Sequence, residues 1–120
     1  MRKPKSGPKN LGEFEILVLA ALVRLGTDAY GVTIRREIEQ RTDRTVSVGA
    51  LYSTLSRLEE KGYVGSRIGK ATAERGGRAK RHYEIKAEGQ AQLQRSVTAL
   101  GAMLKGVSPW LETLNRLTAR

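Results

Sequence analysis

Apolar residues recur along most of this chain at the three- and four-residue spacing of amphipathic helices, and in one region they switch to alternation. Leu11, Phe14, Leu17, Val18, Ala21, Leu22 and Leu25 mark a wide apolar face on a helix predicted over Gly12–Leu25. Glu13 and Glu15 fall in its first turns, where the helix dipole favours carboxylates. Gly26 ends it and Thr27-Asp28 begins a turn. Tyr30, Ile34 and Ile38, flanked by Val32, predict a second, shorter helix over Tyr30–Arg41, with Arg35, Arg36, Glu37 and Glu39 outward. After a polar turn, Thr42–Thr45, the stretch VSVGALYSTLSRLEEKGY runs from Val46 to Tyr63. Its apolar stripe is Val48, Leu51, Leu55 and Leu58, its N-cap Ser47, and its stop Lys61-Gly62. At about 100° per residue, Gly49, Ala50, Ser53, Ser56, Arg57 and Glu60 take the opposite face. Two short helices joined by a brief turn, the second slim on its outward side, suit a helix-turn-helix.

Beyond Gly62 the rhythm changes. Tyr63–Ile68 alternates loosely and Arg81–Lys86 cleanly, with Tyr83 and Ile85 inward and His82 outward. Between them, residues 69–80 hold glycines and charges but no large apolar residue. This predicts a hairpin with a flexible basic tip, a wing beside the second helix of the pair. Leu93, Val97, Leu100 and Leu104 then predict a helix over Ala87–Lys105. Gly106 stops it, and Ser108-Pro109 opens a last helix carrying Trp110, Leu111, Leu114 and Leu117. An apolar stripe outside the winged unit requires a covering surface, either a second copy of the chain or its own domain. A homodimer is the simpler answer, with Leu93, Val97, Leu100, Leu104, Trp110, Leu111 and Leu114 at the seam.

Length and charge narrow this further. A chain of 120 residues holds one modest core, and 22 Lys and Arg against 12 Asp and Glu give a net charge of +10. The cations cluster: Arg2, Lys3, Lys5 and Lys9 lie in a basic arm predicted over residues 1–10, and Arg67, Lys70, Arg75, Arg78, Lys80, Arg81 and Lys86 lie in and around the hairpin. Segregation of this kind favours a polyanion, nucleic acid before an anionic membrane surface. The arm suits the backbone or minor groove of a duplex, or simply solvent. With no cysteine, disulfides and thiolate metal sites are excluded. The apolar run Ile16–Val23 is too short to span a bilayer and no signal peptide is evident, so a soluble cytoplasmic protein with no membrane association is expected.

Catalytic chemistry finds no foothold. His82 is the lone histidine and has no Ser or Asp constellation, Gly69-Lys70 lacks the frame of a phosphate loop, and no cluster has metal-ligand spacing. No enzyme, metal or cofactor is expected. The candidate DNA-binding residues are Ser47, Gly49, Ala50, Tyr52, Ser53, Ser56 and Arg57 on the helix, with Arg78, Lys80 and Arg81 on the wing. Tyr52 can pack its ring while its hydroxyl reaches a phosphate; Arg57, well down the helix, suits a phosphate better than a base. Two glycines before Arg78 free the backbone to approach a narrow minor groove. Trp110, the only tryptophan, fits a dimer seam or the wall of a pocket for a small aromatic effector.

Three blocks follow in order: Tyr30-Gly31 with Ile34; Ser47, Gly49, Leu51, Tyr52, Leu55, Leu58, Glu59 and Gly62; and Gly76, Gly77, Arg78, Tyr83, Ala87, Glu88 and Gly89. Together they resemble the PadR family of bacterial transcriptional regulators, over roughly Leu11–Gly89. The chain departs from the family pattern at Ala50, where Thr is common, at Ser53, where Pro is common, and at Lys86, where Thr is common and Lys is a poor N-cap. The resemblance implies a winged helix-turn-helix, a homodimer joined through C-terminal helices, repression, and in some members release from DNA by aromatic or drug-like ligands held between subunits.

The expected fold is mainly α with a small β-hairpin wing: a winged helix-turn-helix over residues 11–86 plus C-terminal dimerisation helices over 87–120. The expected function is a sequence-specific regulator binding a palindromic operator in double-stranded DNA. A winged-helix protein-interaction module and a membrane-surface adaptor held by the basic arm are the alternatives from other classes.

Overall fold

The computed structural model describes residues 10–69 and 79–118. Five helices and one hairpin follow in order: α1 Glu13–Leu25, a 3-10 turn at Gly26–Asp28, α2 Gly31–Thr42, α3 Val48–Glu60, β1 Val64–Ile68, β2 Arg81–Ile85, α4 Ala87–Leu104 and α5 Ser108–Thr118. The basic arm and most of the wing tip, including Arg78, lie outside the described residues.

The core is built where α1, α2, α3 and the hairpin meet. Val18, Leu19, Ile34, Leu51, Leu55, Leu58 and Val64 are all essentially inaccessible. Each large aliphatic side chain removed from water contributes about 1.5–3 kcal/mol before the entropy of ordering it. Leu19 belongs to the core although the sequence pattern did not single it out. The α3 stripe needs one correction: Leu51, Leu55 and Leu58 are buried, but Val48 is 50% exposed. Its place is taken by Val46, which enters the core from the turn before the helix.

Local hydrogen bonds set the helix ends. Glu15 Oε1 accepts the Gly12 N–H at 2.9 Å, and the Tyr30 N–H donates to Thr33 Oγ1 at 3.0 Å. Ser47 caps α3 as expected, its Oγ accepting the Ala50 N–H at 3.1 Å, and Gly62 stops it at φ +81°. The α2–α3 turn is held from both sides. Arg35 Nε donates to the Val46 carbonyl and the Val46 N–H donates to Glu39 Oε2, each at 2.8 Å. Arg35 and Glu39 therefore do not simply face outward; they grip the one apolar residue of the turn. Asp43 takes the left-handed region at φ +55°, a conformation Asp tolerates better than most side chains. Glu37 is not free either. Hydrogen bonds from Arg41 and Arg24 hold its carboxyl below the usual carboxylate range against the opposing effect of desolvation.

The hairpin is antiparallel, with Val64 opposite Ile85 and Ser66 opposite Tyr83. Tyr83 is buried, and burial pushes its phenol above the ordinary range. The outer edge of β2 is covered: the Tyr83 N–H donates to the Ala29 carbonyl at 2.9 Å, and Tyr30 forms a bridge with His82. His82 is therefore not an outward residue. Its ring meets Tyr30 edge-on at 5.4 Å, and its Nδ1 is buried without a hydrogen-bond partner.

Helix α4 starts at Ala87 behind Lys86, which supplies no side-chain cap. Its buried side is Gly89, Gln92 and Ser96 with Leu93 partly buried, not the leucine stripe. Small residues let it lie against the Tyr63 carbonyl, and Ser96 Oγ accepts the Leu11 N–H at 2.9 Å. Val97, Leu100 and Leu104 remain about half exposed. Helix α5 begins at Ser108 itself. Trp110, Leu111, Leu114 and Leu117 on α5 are exposed by 39–76%, so the last helix does not bury its apolar face on its own domain.

Candidate nucleic-acid interface

The outward side of α3 carries small side chains. Gly49, Ala50, Ser53 and Ser56 are exposed, and a Cβ placed on Gly49 would meet nothing within 4 Å. Leu51, Leu55 and Leu58 anchor the opposite side, so the core fixes which face is presented. Tyr52 is 44% exposed and lies over the start of α2, where a Cβ on Gly31 would overlap its hydroxyl and ring. The Tyr30-Gly31 and Leu51-Tyr52 pairs thus meet in space. Gly31 keeps the two helices close enough for Tyr52 to bridge them.

The cations are more committed than their sequence positions suggest. Glu15 Oε2 lies 4.0 Å from Arg57 Nε and 3.5 Å from Lys61 Nζ, and the guanidinium also reaches Ser53 and Thr54 at 3.3 and 3.4 Å. Arg57 lies along α3 toward α1 instead of projecting from it. On the wing, Lys80 Nζ sits 4.4 Å from the centre of the Tyr30 ring. Arg81 donates to Ser66 Oγ at 3.0 Å, and Ser66 donates onward to Glu59 at 2.6 Å. That relay ties the hairpin to the C-terminal end of α3.

Sequence reasoning missed the roles of four residues here. Val48 was assigned to the core but is exposed on the leading turn of α3. Glu15 was read as a dipole partner, and its hold on Arg57 and Lys61 is a tertiary contact without a local signal. Ser66 and Glu59 join wing to helix across 7 residues of sequence. Elsewhere, a groove of about 340 Å³ between the end of α1 and the hairpin is lined by Leu22, Val23, Arg67 and His82 among others. Trp110 stands apart from it on α5. Among the described residues no His, Cys, Asp or Glu group could hold a metal ion, and no helix is long and apolar enough to cross a membrane.

A three-helix core with a hairpin docked beside its last helix is a winged helix-turn-helix. The family model described as "Transcriptional regulator PadR-like family" matches residues 18–95, and the chain belongs to that family. Its members are transcription regulators, not enzymes. A transcriptional regulator from Clostridium thermocellum is similar at 26% identity and a TM-score of 0.66, over 79% of this chain and 86% of that one. A PadR family regulator from Clostridium difficile is similar in fold, at 23% identity and a TM-score of 0.70, over 83% and 99%. A PadR-like regulator from Bacillus cereus gives 21% identity and 0.66, over 82% and 90%. No curated protein sequence matches the chain.

Proposed function

We propose that this regulator is a homodimeric repressor that binds a roughly palindromic operator. Each subunit lays α3 in a major groove with the wing at the flanking minor groove, and half-sites lie about one helical turn apart. The observation that carries the reading is the bare face of α3: Gly49, Ala50, Ser53 and Ser56 are exposed on a helix whose other side is locked into the core. Ser47, Tyr52 and Arg57 are assigned to phosphates at its borders, and Arg78, Lys80 and Arg81 to the wing contact. The exposed side chains of Val97, Leu100 and Leu104 on α4 and Trp110, Leu111 and Leu114 on α5 support a second copy as the covering surface. Leu93 sits at the inner edge of that face, against its own core. An aromatic or drug-like ligand held beside Trp110, between subunits, releases the operator.

Footprinting on the DNA upstream of the protein's own coding sequence tests this. Two protected half-sites about 10 base pairs apart, with sedimentation at dimer mass, are the expected result. A lone subunit that shows no preference over random competitor refutes it. Trp110 emission that ignores planar aromatic ligands removes the effector.

A further inference from the structure

The leading half of α3 exposes an unusual set of atoms. Val48 is 50% exposed, and Gly49 and Ala50 are exposed beside it. The hydroxyls of Ser47 and Ser53 accept from the Ala50 N–H and the Arg57 guanidinium, and each keeps one O–H to donate. Arg57 itself lies further along the helix, held by Glu15 and Thr54. From Val48 to Ser56 there is thus no guanidinium, carboxamide, ammonium or carboxylate. Paired hydrogen bonds to guanine or adenine need such side chains. Beside the single hydroxyls of Ser53 and Ser56, which do not discriminate between bases, this surface offers methyl groups, and thymine is the one base that presents a methyl group in the major groove.

Gly49 points the same way. Glycine is disfavoured in a helix because it loses more backbone freedom than any other residue on folding. Nothing among the described residues requires it, since its Cβ direction opens onto empty space. Its bare backbone permits the close approach of a base edge. Val48 adds a fixed surface, because β-branching leaves it essentially one rotamer in a helix.

We propose that α3 reads thymine with its first turn: in each half-site the C5 methyl groups of two different base pairs pack on Val48 and on Ala50, which diverge around the helix, with Gly49 between them allowing a base edge into contact. This rests on the reading of α3 as the groove-binding helix and adds the chemistry that it recognises.

The test starts with selection of duplexes from a random pool by the full-length protein. The enriched duplex is then resynthesised with deoxyuridine replacing each thymidine in turn, which removes only the methyl. Each contacted position is expected to weaken binding about fourfold, the burial value of one carbon. Val48→Ala, at an exposed position, is expected to bind the thymine and uracil duplexes equally at the position beneath it. An enriched duplex indifferent to uracil at every position overturns this inference and leaves the operator reading intact. Failure of any duplex to enrich overturns both.

Discussion

Gly89 decides how α4 leaves the winged unit, and its replacement by alanine gives a sharp test of the packing. In an open helix the change is favourable by roughly 0.5–1 kcal/mol, because alanine loses less backbone entropy on folding. Here the added Cβ would overlap the Tyr63 carbonyl oxygen and stand 3.0 Å from Ile85 Cγ1. The Tyr63 oxygen is backbone and already accepts the Lys86 N–H at 2.9 Å, so it cannot swing aside. Overpacking of this kind costs about 1–3 kcal/mol, and a strained hydrogen bond adds about 1. Net destabilisation of about 2 kcal/mol is expected, which lowers the melting temperature by roughly 8 °C for a chain of this size. Gly49→Ala is the control, since its Cβ meets nothing within 4 Å, and its melting temperature should hold or rise. Thermal melts followed by circular dichroism at one protein concentration provide the readout. Equal melting temperatures for Gly89→Ala and the parent would refute the close approach of α4 to the hairpin.

Other consequences follow from individual contacts. Burial raises the Tyr83 phenol above its ordinary range, so from about pH 10 upward the unfolded chain loses this proton first and stability falls as pH rises. Tyr83→Phe should flatten that alkaline decline in melts between pH 9 and 11, and parallel curves would contradict it. Glu15→Gln keeps an acceptor for the Gly12 N–H but releases Arg57 and Lys61 from their anion. Affinity for random duplex is expected to rise roughly two- to fivefold, the range of exposed ion pairs, and an unchanged affinity would show that the two cations do not reach DNA. Arg78→Ala should weaken operator binding and reduce the slope of log K against log salt by about 0.9; an unaltered slope removes Arg78 from the contact.

The helix-turn-helix was legible because each of its signals was local. Ser47 and Gly62 bracket α3, and three leucines at helical spacing give it one buried side. The misreadings fall where an element is judged by a neighbour that sequence does not reveal. Val48 has the spacing of a core residue, but at the first position of the helix the chain can supply Val46 instead. Leu19 hides in the unbroken apolar run Ile16–Val23, which carries no phase. Alternation puts His82 on the open side of the hairpin, yet Tyr30 from the start of α2 closes that side. In α4 the leucines mark one face, while Gly89, Gln92 and Ser96 mark the buried one. Small and polar residues are buried there because the neighbouring backbone comes close and offers Ser96 a donor. No periodicity reports that.

The grip of Arg35 and Glu39 on the Val46 peptide separates two duties within a short span. Architecture depends on main-chain atoms and a single buried valine; the neighbouring Val48, Gly49, Ala50 and Ser53 hang from that frame without supporting it. On the proposed docking of α3, substitutions at those four positions retarget the protein to new promoters while the bend between the helices persists. Descendants of such a gene could diverge in what they control long before they diverge in shape.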